Sequence, residues 1–319
     1  VTRDYVVLCV AATGMSGTTL LSRMLGRLPG FVAVGEVGHL WDKSLIDGRA
    51  CGCGRRVSEC PFWGEVGREA FGGWDRVDAR SATGLRGRLL LNHTPLPHPF
   101  ALPLILHPRL SSTYAENLAR YGDLLVRLYD GIARVSGARV LVDSMKVPAH
   151  VYAVCARPDL NGHVLHVVRD SRGVAYSNTK LVKRQGEGYR VQRTPSKSAR
   201  RWLWINQAFR TLQRRGVPTT LVRYETFVRS PREELRRIAG DVGAPLAEED
   251  LAFIADDGVT LGEDHLIAGN RVRFAKGPIV LRADEDWRSG LSSAQRLAVT
   301  AWSWPLLRRF GYLPTPGGD

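Results

Sequence analysis

The stretch VVLCVAATGMSGTTLLSRML, residues Val6–Leu25, decides the fold. Val6 to Ala12 is continuously apolar and rich in β-branched side chains, the pattern of a strand buried on both faces. Thr13-Gly14-Met15-Ser16-Gly17-Thr18-Thr19 then turns the chain. Leu20, Leu21, Met24, Leu25 and Leu28 recur at helical spacing until Pro29-Gly30 stops the helix. A strand, a Gly-rich turn and a helix N-terminus together aim free backbone N–H groups, and the positive end of the helix dipole, at an anion. Gly14 and Gly17 allow close approach to a phosphate, and the hydroxyls of Ser16, Thr18 and Thr19 add donors. A nucleotide-kinase loop would carry a lysine directly after its last glycine. Here Thr18 follows Gly17.

Working outward, Phe31 to Val34 reads as a second short strand. Asp47 to Arg88 is rich in Gly, Arg and Cys, and Thr94 to Pro108 carries five prolines, which predicts a loop. Tyr114, Leu118, Tyr121, Leu125, Leu128 and Ile132 form an apolar stripe, so a helix is expected from about Thr113 to Val135. Further strands are expected at Arg139–Val142, His163–Val168 and Thr219–Arg223, with helices after them. Ser230, Pro231 and Glu233 predict a helix opened by a capping box and a first-turn proline. The alternation implies an α/β fold with a central, mainly parallel sheet flanked by helices and a P-loop-type first turn. One domain is expected over residues 1–319, with a Cys/Pro-rich insertion around 47–110.

At 44% hydrophobic and 24% charged residues the chain belongs with ordinary globular proteins. No apolar run approaches the ~20 residues of a membrane span. The run at Tyr5–Ala12 is too short and too poorly flanked by basic residues for a signal peptide, so a cytoplasmic location is expected. The net charge is +14, and all but six of the 45 basic residues are arginine. Such a balance favours anionic partners, of which a phosphorylated cofactor is one. Cys9 and Cys155 lie in apolar contexts and read as core residues. Cys51, Cys53 and Cys60 cluster in CGCGRRVSEC. With a fourth ligand such as His39 they could hold zinc, but C-x-C-x6-C is not a standard zinc spacing. A disulfide pair and reduced structural thiols stay open, and no metal site is assigned.

The second informative run is VLHVVRDSRGVAYSNTK, Val164–Lys180. A strand ends at Arg169, whose planar fork of donors suits a phosphate. Ser177 lies about two helical turns further on, able to face back toward the strand end. The plainer reading is an Asp170–Arg172 ion pair beside a helix cap.

Together these motifs resemble PAPS-dependent sulfotransferases, which bind 3′-phosphoadenosine-5′-phosphosulfate (PAPS). GMSGTTLL resembles the family's 5′-phosphosulfate loop, although Met15 stands where the family has Lys or Arg. The motif R-D-x-R-x-x-x-x-S, whose first Arg and final Ser hold the 3′-phosphate, is matched by Arg169 and Ser177. Val222-Arg223-Tyr224-Glu225 before Ser230-Pro231 resembles the segment whose Tyr packs near the adenine; plain core packing is the alternative for Tyr224. Gly269-Asn270-Arg271-Val272-Arg273 resembles a late loop that closes over the nucleotide in bacterial members, which implies Asn270 and Arg273 as ligands. The stretch from Ala50 to Leu110 lies outside the resemblance.

The resemblance implies sulfuryl transfer from PAPS to an acceptor hydroxyl, with 3′,5′-adenosine bisphosphate as the second product. Such a reaction needs positioning, charge stabilisation and a base. Glu36, in Val34-Gly35-Glu36, sits where protein-tyrosine sulfotransferases carry their catalytic base, and His39 is the second choice. Lys146, in Val142-Asp143-Ser144-Met145-Lys146, is the expected cation for the sulfuryl group, with Asp143 to orient it. Lys183 to Arg201 reads either as a basic wall of the cleft or as a solvated loop. A small-molecule, lipid or carbohydrate acceptor is expected and nucleic acid is not. The rivals are a noncatalytic nucleotide-binding protein and a nucleotide kinase.

Overall fold

The computed structural model describes residues 3–89, 103–104, 106–184, 188–191 and 193–314. Nine strands occur among them: β1 (Val6–Ala12), β2 (Phe31–Gly35), β3 (Val140–Asp143), β4 (Asn161–Val168), β5 (Leu181–Arg184), β6 (Gly188–Val191), β7 (Thr219–Arg223), β8 (Gly258–Leu261) and β9 (Gly277–Val280). Five form a sheet in the order β2-β3-β1-β4-β7, and every pairing in it is parallel. The pairs β5–β6 and β8–β9 are separate antiparallel hairpins.

The apolar run of Val6–Ala12 explains why β1 is central. Val7, Cys9 and Ala11 enter the core on one face of the sheet, and Leu8, Val10 and Ala12 enter the core on the other. Burying a Val or Leu side chain stabilises by about 1.5–3 kcal/mol. A charged residue at Val10 would therefore lose that gain and bury an unpaired charge as well.

The first helix, Thr18–Leu25, buries Leu21, Met24 and Leu25. It ends one turn earlier than the leucine spacing suggests. The Arg27 N–H donates to Met24 O and the Leu28 N–H to Leu25 O, so tight turns carry Leu28 into the same core. The long helix Ser112–Ser136 starts where Ser111 accepts the Tyr114 N–H at 3.3 Å, and ends at Gly137 with φ 65°.

Two expectations change. The Cys-rich part of the insertion, for which the sequence pattern offered no element, holds two helices, Pro61–Phe71 and Ala79–Leu89, packed on Ser112–Ser136. They place Trp63, Val66, Phe71 and Leu85 in the main core. The helix after β7 does break at Ser230, but the Ser230 side chain accepts no capping bond; Pro231 opens Pro231–Asp241, with Glu233 and Glu234 in its first turn. A full capping box forms instead at Ser292 and Gln295, opening the helix Ser293–Arg309. The proline-rich loop expected over 94–108 lies largely outside the described residues. Among the described residues, no helix is long and apolar enough to cross a membrane.

Candidate active site

In a parallel sheet the carboxyl ends of the strands face one edge, and ligands collect there. Each strand of this sheet ends beside a residue singled out above. The Thr13–Thr19 turn follows β1, Glu36 follows β2, Arg169 follows β4 and Tyr224 follows β7, while Lys146 stands three residues beyond β3. The first turn, Glu36, Lys146 and Tyr224 line one cleft of about 550 Å³ together with Gly269 and Asn270.

Gly17 caps the helix Thr18–Leu25 with φ 72° and no side-chain capping bond, so the first-turn N–H groups stay available to a ligand. A Cβ on Gly17 would lie 2.6 Å from the Tyr224 ring, so the close approach of that ring requires glycine here. Met15 also adopts a left-handed backbone, with φ 67°. Thr13 Oγ1 and Ser16 Oγ are 3.1 Å apart and brace the turn.

Gly35 likewise takes φ 77°, and a Cβ there would meet Ile267 O at 2.4 Å. This close crossing lets a late segment join the edge of β2: the Ile267 N–H donates to Val34 O at 3.0 Å and the Glu36 N–H to Ile267 O at 2.7 Å. The same segment lays Asn270 on the first turn, its N–H donating to Thr19 Oγ1 at 3.3 Å. Arg273 folds back to donate to Gly269 O at 2.8 Å and lies over Phe274. Arg282, missed from the sequence, lines the cleft.

Glu36 and Lys146 form a mostly buried pair, with Lys146 Nζ 2.5 Å from Glu36 Oε1. Burial pushes the Glu36 carboxyl up, but Lys146, helped by His39 and Lys43, outweighs it and holds the carboxyl below its ordinary value. His39 Nε2 lies 3.8 Å from Glu36 Oε2. Its Nδ1 meets Asp42 Oδ1 at 3.2 Å and Arg86 Nη1 at 2.9 Å. Burial lowers the imidazole below its ordinary value despite the Asp42 contact. His39 therefore backs Glu36 and is not a surface residue. Arg86, from the insertion, also pairs with Asp42 at 2.5 Å and was invisible in sequence.

Asp143 does not orient Lys146 by contact. Its fully buried carboxylate accepts from Tyr129 Oη at 2.6 Å, lies 2.7 Å from His150 Nε2, and accepts the Met145 N–H at 2.8 Å. It shapes the turn leading to Lys146, whose second bond runs to Ser144 O at 3.3 Å.

Arg169 is almost wholly buried. It donates to Met15 O at 2.7 Å and Ser177 Oγ at 3.3 Å, and its plane covers the Tyr224 ring at 4.7 Å. The pair read from the sequence thus meets beside the first turn. The other side of the fork holds Asp284 at 3.0 Å, a partner with no signal in the motif. Asp170 and Arg172 do form the plainer ion pair, at 2.6 Å, and Asp170 also caps the helix Ser171–Thr179. The ion pair and the Arg169–Ser177 contact thus occur side by side, on different residues.

The basic stretch begins in the β5–β6 hairpin. Beyond it Arg193 and Arg201 line a second, smaller cavity of about 90 Å³ on Gly14 and Met15. That end of the stretch thus faces the first turn from a cavity separate from the cleft.

The profile of the sulfotransferase family matches residues 9–248. The chain belongs to the sulfotransferase family. Among solved structures, the sulfotransferase domain from the olefin synthase of Synechococcus PCC 7002 superposes with a TM-score of 0.50 at 19% identity, covering 98% of this chain and 96% of that one. The sulfotransferase domain from the curacin biosynthetic pathway gives 0.49 at 14% identity, over 99% and 100% of the two chains. A sulfotransferase from Alicyclobacillus acidocaldarius gives 0.41 at 16%, over 98% and 96%. The comparison with curated proteins finds no match. The family match runs through the insertion that motif reading left outside. This edge of the sheet thus brings together the first turn, the Arg169–Ser177 pair and the Glu36–Lys146 pair.

Proposed function

We propose that this sulfotransferase moves a sulfuryl group from PAPS to the hydroxyl of a small-molecule, lipid or carbohydrate acceptor, leaving 3′,5′-adenosine bisphosphate. The reading takes residues 1–319 as one sulfotransferase unit with an insertion around 47–110. The observation that carries it is the Glu36–Lys146 pair at 2.5 Å, set in the wall of the cleft that the first turn also lines.

In this reading the first-turn amides and the hydroxyls of Ser16, Thr18 and Thr19 hold the 5′-phosphosulfate. Arg169 and Ser177 take the 3′-phosphate, and Tyr224 packs near the base. Glu36 accepts the acceptor's O–H proton while that oxygen bonds to sulfur. The bond from sulfur to the phosphate oxygen breaks, and its electron pair leaves with the nucleotide. Lys146 neutralises charge on the sulfuryl oxygens. As it turns toward them its hold on Glu36 weakens, so the carboxylate gains proton affinity when the proton arrives. Lys146 thereby answers for the cation missing at Met15.

Incubation of the protein with sulfur-labelled PAPS and a panel of phenols, sterols and sugars tests the reading. Label should appear in an acceptor with stoichiometric adenosine bisphosphate. PAPS bound tightly but never consumed with any acceptor class would favour a nucleotide-binding role, the reading that Met15 supports.

A further inference from the structure

Cys51, Cys53, Cys60 and His265 form a cluster apart from the residues that line the cleft, with their ligand atoms all within 4.8 Å of one another. Cys51 and Cys60 Sγ are 3.9 Å apart, and His265 Nδ1 lies 3.3 Å from Cys60 Sγ and 3.8 Å from Cys51 Sγ. A disulfide would need about 2.0 Å, and all the chain's cysteines are free thiols. Tetrahedral zinc, with Zn–S of about 2.3 Å and Zn–N of about 2.0 Å, sets sulfurs about 3.8 Å apart and sulfur to nitrogen about 3.5 Å. The Cys51–Cys60 separation matches the sulfur edge closely, and the two distances from His265 span the sulfur–nitrogen edge. His39, the fourth ligand considered from sequence, is engaged at the cleft instead.

The backbone holds the four ligands in place without any cross-link. The Cys51 N–H donates to Arg55 O at 2.8 Å and the Gly54 N–H to Cys51 O at 2.9 Å, a tight turn that sets Cys51 and Cys53 side by side. Cys60 is the N-cap residue of the helix Pro61–Phe71. His265 is fixed from both ends: Trp63 Nε1 donates to its carbonyl at 2.7 Å, and the Phe62 ring stacks on its imidazole at 5.1 Å. The Gly52 N–H donates to Leu266 O at 3.0 Å. Three sulfurs and one imidazole nitrogen in a closed tetrahedron are the ligand set of a structural zinc ion, with no open position for substrate. The spacing hid this because the fourth ligand lies 205 residues beyond Cys60.

We propose that these four residues bind one structural zinc ion that clips the insertion to the late segment lying over the cleft. His265 stands two residues before Ile267, whose bonds to Val34 and Glu36 seat that segment on β2. The metal is a positioning element: it touches neither nucleotide nor acceptor, and the inference does not depend on which donor the enzyme uses.

Zinc is measured by elemental analysis of the full chain purified with reductant and without chelator. The expected content is about one ion per chain. Cobalt(II) exchanged into the site should give the visible bands of a tetrahedral thiolate complex. Cys53→Ser, at the most exposed of the three thiols, should fold and lower zinc affinity at least about tenfold in competition with a chromophoric chelator. Removing the metal should speed hydrogen exchange at the Ile267 and Glu36 amides. Wild-type protein that is purified without zinc and takes up neither Zn²⁺ nor Co²⁺ under reducing conditions would overturn the site. So would a native Cys51–Cys60 disulfide. Unchanged exchange at those two amides in metal-free protein would overturn the positioning role.

Discussion

Lys146 Nζ lies 2.5 Å from Glu36 Oε1, across 110 residues of chain. The two come together because β2 and β3 are parallel neighbours, so their carboxyl ends open on the same edge. A base works only when deprotonated, and the activity it supports is lost as pH falls through its pKa. Lys146 holds the Glu36 carboxyl below its ordinary value against the opposing pull of burial. The acid limb of kcat/KM should therefore lie below the ordinary carboxylate range. In Lys146→Met burial is opposed only by His39 and Lys43, and the limb should move up toward neutral pH. Turnover should also fall by roughly 10²–10³ from the lost charge stabilisation. An acid limb that stays in place would show that another group titrates.

Glu36→Gln should lower turnover by roughly 10²–10⁴, the usual contribution of a general base. Nucleotide affinity, read by calorimetry, should change little, because the base acts on the acceptor. Near wild-type turnover would transfer the role to His39, which stands behind Glu36 at 3.8 Å.

Met15→Lys tests whether the missing cation has been replaced. Both Met15 and Lys146 line the cleft. With Lys146 in the role, a second lysine should add little or repel it, and Lys146→Ala should be severe. A large gain in Met15→Lys together with a mild Lys146→Ala would mean that no replacement exists. Little effect in either variant would turn attention to Arg193 and Arg201, which flank Met15 on its other side.

Arg169→Ala should weaken binding of adenosine 3′,5′-bisphosphate by about 1.5–3 kcal/mol, roughly 10- to 150-fold. Asp284 competes for the same fork at 3.0 Å. Asp284→Asn should therefore tighten that nucleotide by roughly two- to fivefold, the scale of a partly exposed ion pair. Weaker binding in Asp284→Asn would show that the carboxylate positions Arg169 and does not compete.

The legible parts of this protein were those carried by short-range pattern. The apolar run of β1, the turn after it and the Arg169–Ser177 spacing each lie within one strand–turn–helix unit, and the fold follows from repeating that unit. What sequence could not give were partners brought together only by tertiary contact. His265 completes a cluster begun at Cys51, Asp284 sits against Arg169, and Arg86 reaches Asp42 and His39 from the insertion. Within the insertion, Gly-rich composition masks two helices. They owe their stability to packing on Ser112–Ser136 more than to their own propensity. The bond from Arg273 to Gly269 O lies within one loop, yet the loop resemblance gives no sign of it.

The central claim is that one nucleotide is gripped at two phosphates, by the first turn and by Arg169 with Ser177. Calorimetric titration of adenosine 3′,5′-bisphosphate against adenosine 5′-monophosphate tests it without knowledge of the acceptor. The bisphosphate should bind at least about tenfold tighter, since its second phosphate meets a charged donor pair, and Arg169→Ala should erase the difference. Equal affinities in the wild-type protein would contradict the account.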